Sequence, residues 1–137
     1  MSEYIDILGS EIVVKDSIVD KFIDAWNSGK NKKFSETFEV GEDGTRIDCL
    51  IGIFDQGDFE LTQSIEDTKD GEIHCFQWMN EDGSFRSYHD DFFEFIAPFV
   101  EGHVDYLHNG TPYRHIFEDG KQHIETGEVR FPSSDRW

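Results

Sequence analysis

Apolar residues Ile18, Val19, Phe22, Ile23 and Trp26 recur at i, i+1, i+4, i+5 and i+8, the spacing of one helix face. The pattern predicts a helix over about 17–28. Asp16 or Ser17 is placed to cap its start and Gly29 to end it, and Lys30, Lys32 and Lys33 follow where cations complement the negative end of the helix dipole. A second helix is expected from His89-Asp90-Asp91 through FFEFIA, with Phe92, Phe95, Ile96 and Phe99 on its apolar face. Pro98 is expected to end or kink it, since proline lacks the N–H and clashes with the preceding turn.

The remaining pattern reads as strands joined by tight turns. Asp-Gly occurs at 43–44, 70–71, 82–83 and 119–120, and Asn-Gly at 109–110. These pairs tolerate positive φ and are the strongest short hairpin signal. Over 46–53, Ile47, Cys49, Ile51 and Ile53 alternate with Arg46 and Asp48, which predicts a strand; Phe59 and Leu61 alternate with Asp58 and Glu60 in another. Over 72–79 both faces are apolar, Ile73, Cys75 and Met79 against Phe76 and Trp78, as in a central strand covered on both sides. Val104, Tyr106, Tyr113, Phe117, Ile124 and Val129 continue the alternation. The order is helix, strands from 34 to 79, helix, strands from 103 to 131, and a surface tail over 132–137. The fold class is therefore α+β: a mainly antiparallel sheet with two principal helices packed on one face. The core is expected to hold Phe22, Trp26, Cys49, Ile51, Phe76, Phe95 and Phe117.

Length and composition refine this picture. The 137 residues fit a single domain, 1–137. Aromatic residues make up 15% of the chain against 36% hydrophobic overall, so large rings compensate for few aliphatic residues and argue against disorder. No apolar run reaches the ~20 residues of a membrane span, and the N-terminal stretch lacks the basic and apolar regions of a signal peptide. Cys49 and Cys75 sit in apolar surroundings and read as buried free thiols. A cytoplasmic protein with no membrane partner is expected.

Candidate chemistry is sparse. The Asp-Gly turns lack the bidentate Glu and alternating ligands of a calcium loop. The six histidines, His74, His89, His103, His108, His115 and His123, include no His-x-x-x-His, and no Cys-x-x-Cys exists. They read as scattered, half-exposed side chains, although His103 and Asp105 share a strand face that His115 could approach across a hairpin. Neither a Gly-x-Ser-x-Gly elbow nor a glycine-rich phosphate loop occurs. Asp90 and Asp91 beside His89 suit a helix's first turn without any acid–base role. No catalytic residue, metal or cofactor is expected.

Charge is the most informative property. The formal net charge is −18, with 30 acidic and 12 basic side chains. Residues 51–100 alone hold 12 acidic and 2 basic residues; the acids are Asp55, Asp58, Glu60, Glu66, Asp67, Asp70, Glu72, Glu81, Asp82, Asp90, Asp91 and Glu94. Such a polyanion repels a nucleic-acid backbone, so direct nucleic-acid binding is not expected. Its complement is a basic protein, whose approach the field would steer. The acids projecting from predicted turns, Asp67, Asp70, Glu81 and Asp82, and from the helix start, Asp90 and Asp91, are the candidate partner-binding residues. Solubilising an aromatic-rich fold and keeping sheet edges from pairing is the alternative role for these acids.

The stretch 92–129, FFEFIAPFVEGHVDYLHNGTPYRHIFEDGKQHIETGEV, carries an Ala-Pro-aromatic-Val-acid-Gly helix end, a strand, a glycine turn, an aromatic-Arg pair and Gly-Lys. It resembles small acidic bacterial immunity proteins of polymorphic and contact-dependent toxin systems, departing at Thr111-Pro112. The resemblance implies a non-catalytic acidic inhibitor that binds and neutralises a basic protein such as a nuclease toxin, and it transfers no catalytic residues. A nucleic-acid-mimicking inhibitor of a defence or DNA-binding protein, and a small carboxylate-based hydrolase, are the alternatives.

Overall fold

The computed structural model describes residues 4–28, 46–67, 69, 71–80 and 83–127. Strand β1 (Ile5–Lys15) runs through a 3-10 turn (Asp16–Ile18) into α1 (Val19–Asn27). Helix α2 (Arg46–Asp55), the hairpin β2 (Phe59–Asp67) and β3 (Gly71–Trp78), and helix α3 (Ser87–Ile96) follow. A second 3-10 turn (Ala97–Phe99) then leads into β4 (Glu101–His108), β5 (Thr111–Glu118) and β6 (Lys121–Thr126). The strands form one six-stranded sheet in the order β2-β3-β1-β4-β5-β6, antiparallel at every junction. The α+β class is thus observed, with helices on one face.

The C-terminal meander follows from its turns. Asn109-Gly110 (φ 51° and 87°) and Asp119-Gly120 (φ 53° and 73°) each form a two-residue loop with both φ positive, the geometry that matches the twist of a hairpin. Val104, Tyr106, His115 and Phe117 therefore point together into the core.

Several expectations need correction. Residues 46–53 are helical, not extended. Cys49, Leu50, Ile53 and Phe54 are the buried positions, at i, i+1, i+4 and i+5; the alternating isoleucines masked this face, and Ile51 is only half-buried. Among the described residues the principal helices are therefore three. Strand β1, absent from the predicted order, holds the middle of the sheet. Its apolar parity changes partway: Ile5 and Ile7 face the core before a bulge between Ile7 and Gly9, and Ile12 and Val14 face it afterwards. The α1 prediction holds to within two residues, but Asp16 makes no cap. On α3 the buried residues are His89, Phe92, Phe93 and Ile96, while Phe95 and Phe99 are half-buried. On strand β3, His74, Phe76 and Trp78 face the core; on the other side Cys75 is buried, Ile73 half-buried and Gln77 exposed, and Met79 lies beyond the strand's end. Ile124 is exposed. The predicted features over 29–45 and 128–137, including Gly29, the lysine run, the 43–44 turn and Val129, lie outside the described residues.

The core is aromatic. Phe54 stacks on Phe76 with centroids 4.0 Å apart, and Phe22 meets Phe54, Phe95 and Phe99 at 5.3–5.4 Å. Trp78 is enclosed by Phe93, Tyr106 and His89. Offset and edge-on rings of this kind contribute about 0.5–1.5 kcal/mol per pair beyond area burial.

Candidate functional site: an acidic cleft

The tight turn from α2 into β2 sets a cleft of about 510 Å³ between Ile51 and Asp55 of α2, the β2 start Asp58-Phe59-Glu60-Leu61, Met79-Asn80 after β3, and Tyr88 of α3. Its lining holds three carboxylates and no cation. Asp55 and Glu60 are exposed, and Met79 is 40% exposed on an apolar patch with Ile51 and Leu61.

The base of the cleft is fixed from below. Asp58 sits in the left-handed region at φ 66°, and its carbonyl accepts the Met79 N–H at 2.7 Å. Asp58 Oδ2 accepts the Tyr88 hydroxyl at 2.8 Å and His89 Nε2–H at 2.7 Å. His89 Nδ1 accepts the Arg86 backbone N–H at 3.0 Å, which assigns the proton to Nε2. Both ring nitrogens of this fully buried histidine are thus engaged, which fixes the Asp58 carboxylate at the base of the cleft. Gly57 completes the turn: its carbonyl accepts Trp78 Nε1–H at 3.1 Å, and a Cβ here would run into the Phe92 ring.

The residues singled out in the sequence fall elsewhere. Asp67 ends β2 opposite Gly71, and Asp70, Glu81 and Asp82 lie outside the described residues. Asp90 ends the first turn of α3 and Asp91 follows it, with Asp90 exposed and Asp91 half-buried. The Asp90 carboxyl is pushed up, chiefly by loss of water around it, against the pull of His115. The structure instead converges Asp55, Asp58 and Glu60. These belonged to the acidic segment read from the sequence, but a strand assigned to 46–53 concealed that a helix end and a tight turn would bring them together.

The histidines are also not scattered half-exposed groups: His74, His89 and His115 are buried. His115 Nδ1–H donates to Gln122 Oε1 at 2.6 Å and Nε2 accepts the Tyr106 hydroxyl at 2.8 Å; burial pushes the imidazole pKa down and the Tyr106 phenol up. His115 faces the core, so it does not meet His103 and Asp105. Those two do approach, at 3.4 Å, on the open face of the sheet, where Arg114 binds Asp105 through two bonds of 2.9 and 3.0 Å. Cys49 and Cys75 are free and buried, and burial raises both thiol pKa values. Among the described residues, no three of His, Cys, Asp and Glu converge as metal ligands, and no helix is long and apolar enough to cross a membrane.

A scan against protein-family models gives no match, and searches of curated proteins and of solved structures give none either.

Proposed function

We propose that this chain is an acidic inhibitor of the immunity-protein kind, neutralising a basic protein such as a nuclease toxin by accepting its Lys or Arg side chains. The observation that carries the reading is the cleft. It combines an apolar wall of Ile51, Leu61 and Met79 with the carboxylates of Asp55, Asp58 and Glu60. A long cationic side chain has that same division, an aliphatic stem and a charged head. The anchoring of Asp58 by Tyr88 and His89 holds one carboxylate in place before a partner arrives, which lowers the ordering cost of association. The surrounding charge of −18 adds long-range steering. Asp90 and Asp91 follow Tyr88 by two and three residues on α3, outside the cleft lining, and are assigned to the rim of the proposed surface, where carboxylates act mainly on the association rate. The reading asks for no catalytic step. A cytoplasmic setting accompanies it, supported by the two free, buried thiols.

The test is a titration against the product of the neighbouring gene. D55K/E60K should weaken the complex more than tenfold with the unfolding midpoint retained, and D90K/D91K should chiefly slow association, more so at low salt. Equal affinities for the wild type and D55K/E60K would remove the cleft from the interface.

A further inference from the structure

Three side chains outside the cleft are connected as a nucleophile, a base and an orienting acid. Ser64 on β2 and His74 on β3 are direct cross-strand partners, and Ser64 Oγ lies 2.7 Å from His74 Nδ1. His74 Nε2 lies 3.0 Å from Asp16 Oδ1, in the turn after β1. Arg46 at the start of α2 reaches the same Asp16 carboxylate at 3.4 Å, its backbone carbonyl at 3.2 Å, and Asp20 at 2.7 Å. The imidazole is fully buried, whereas Ser64 is an exposed residue whose hydroxyl turns in to the imidazole, so the base is shielded and the serine sits at the surface.

Protonation follows from the partners. The bond from His74, with Arg46 in support, holds the Asp16 carboxyl below the usual carboxylate range, so this group only accepts. His74 Nε2 must then carry a hydrogen, which in the neutral ring leaves the Nδ1 lone pair directed at the Ser64 hydroxyl. This is the division of roles that activates a serine: a hydroxyl on a base that is itself oriented by a carboxylate. The two ring nitrogens are exchanged relative to the chymotrypsin arrangement, which leaves the chain of proton acceptors intact.

We propose that Ser64 is a nucleophile toward activated acyl esters, with His74 as its general base and Asp16 as the positioning residue. Ser64 Oγ forms a bond to the acyl carbon as its proton passes to His74 Nδ1. The bond from that carbon to the leaving group breaks, and the leaving group departs with the proton from His74. Water, deprotonated by the same nitrogen, then releases the carboxylic acid and restores Ser64. The inference is independent of the binding reading, since Ser64 does not line the cleft and lies three residues along β2 from Leu61, its nearest lining residue on that strand, roughly 10 Å away.

The experiment treats the full chain with a fluorophosphonate probe and with p-nitrophenyl acetate, followed by intact mass and peptide mapping. The expected result is a single adduct on Ser64, absent in S64A. H74Q and D16N should each slow its formation by about 10²-fold or more, within the ~10²–10⁴ that a positioned base supplies, while circular dichroism remains native. S64C supplies the control for access and folding, and iodoacetamide should alkylate it. No adduct on Ser64, an adduct spread over other residues, an undiminished rate in D16N, or an S64C thiol that resists alkylation would each overturn the proposal.

Discussion

On the helix-covered face of the sheet, Phe54 lies 4.0 Å from Phe76, Trp78 is walled in by Phe93 and Tyr106, and the buried histidines His74, His89 and His115 have both ring nitrogens engaged. On the opposite face, Arg114 grips Asp105 in solvent, His103 leans on the same carboxylate, and Leu8 and Ile65 are largely exposed. The same six strands thus present a dry surface, on which these three histidines are partnered, and a wet one. The difference teaches that a polar group without a hydrogen bond is costly where water is excluded and cheap where it is not. It also locates the stability of the protein on one side of its sheet.

The comparison can be broken most directly at Phe54. Phe54→Ala should cost about 3–5 kcal/mol, because it removes apolar transfer energy and leaves a cavity beside Phe22, Phe76 and Phe92. Denaturant melts would measure it, and an unchanged midpoint would mean that the aromatic stack is not the centre of the fold. Gly57→Ala is expected to cost about 1–3 kcal/mol, since the new methyl must displace the Phe92 ring beneath the cleft; full stability in the melt would mean that this turn yields freely.

A smaller effect lies in pH. The folded protein holds the His115 pKa below its ordinary value of 6.5 by burial, so the unfolded chain takes up a proton more readily. The stability contributed by neutral His115 is therefore complete above about 6.5 and is lost as pH falls below it. Melts from pH 7 to pH 5 should show the wild type weakening more steeply than a Y106F/H115F variant, in which the titrating ring is gone. Parallel slopes would assign the acid sensitivity to other groups. The smallest change is expected on the open face: Arg114→Ala should leave the unfolding midpoint where it is, because exposed ion pairs contribute little net stability. A clear drop would show that the two faces are less different than their burial suggests.

The local parts of this architecture were legible in the sequence. Asn109-Gly110 and Asp119-Gly120 carry the chemistry of their own turns, so the meander could be read from neighbours in the chain. The Phe22 and Trp26 face of α1 likewise obeys a period that nothing interrupts. What escaped reading depended on events no local pattern records. One extra residue near Leu8 moves the inward positions of β1 from odd to even, which destroys the alternation that marks a strand. The same happens in β2 between Leu61 and Gln63, so Ser64 faces inward toward His74 although Phe59 and Leu61 had set the opposite parity. In α2, alternating isoleucines satisfied a strand template while Leu50 and Phe54 satisfied a helical one, and tertiary packing decided between them. The cleft was legible only as composition: Asp55, Asp58 and Glu60 stood among twelve acids, and a helix end was required to select them. The histidine networks bridge as many as 58 residues of sequence, a separation at which spacing carries no signal.

The central place of β1 bears on how the protein is made. During synthesis β1 leaves the ribosome before the other five strands, yet Ile12 pairs with Phe76 and Ile5 with His108, so both flanks wait for residues far along the chain. The hairpins β2-β3 and β4-β5-β6 can each close locally beforehand, and β1 is then the strand that joins two preformed halves. Non-local pairing of this kind slows folding and exposes unpaired strand edges in the interval. Until β1 docks, β3 and β4 each present an open edge, and like-charge repulsion at a net charge of −18 opposes the pairing of such edges between molecules.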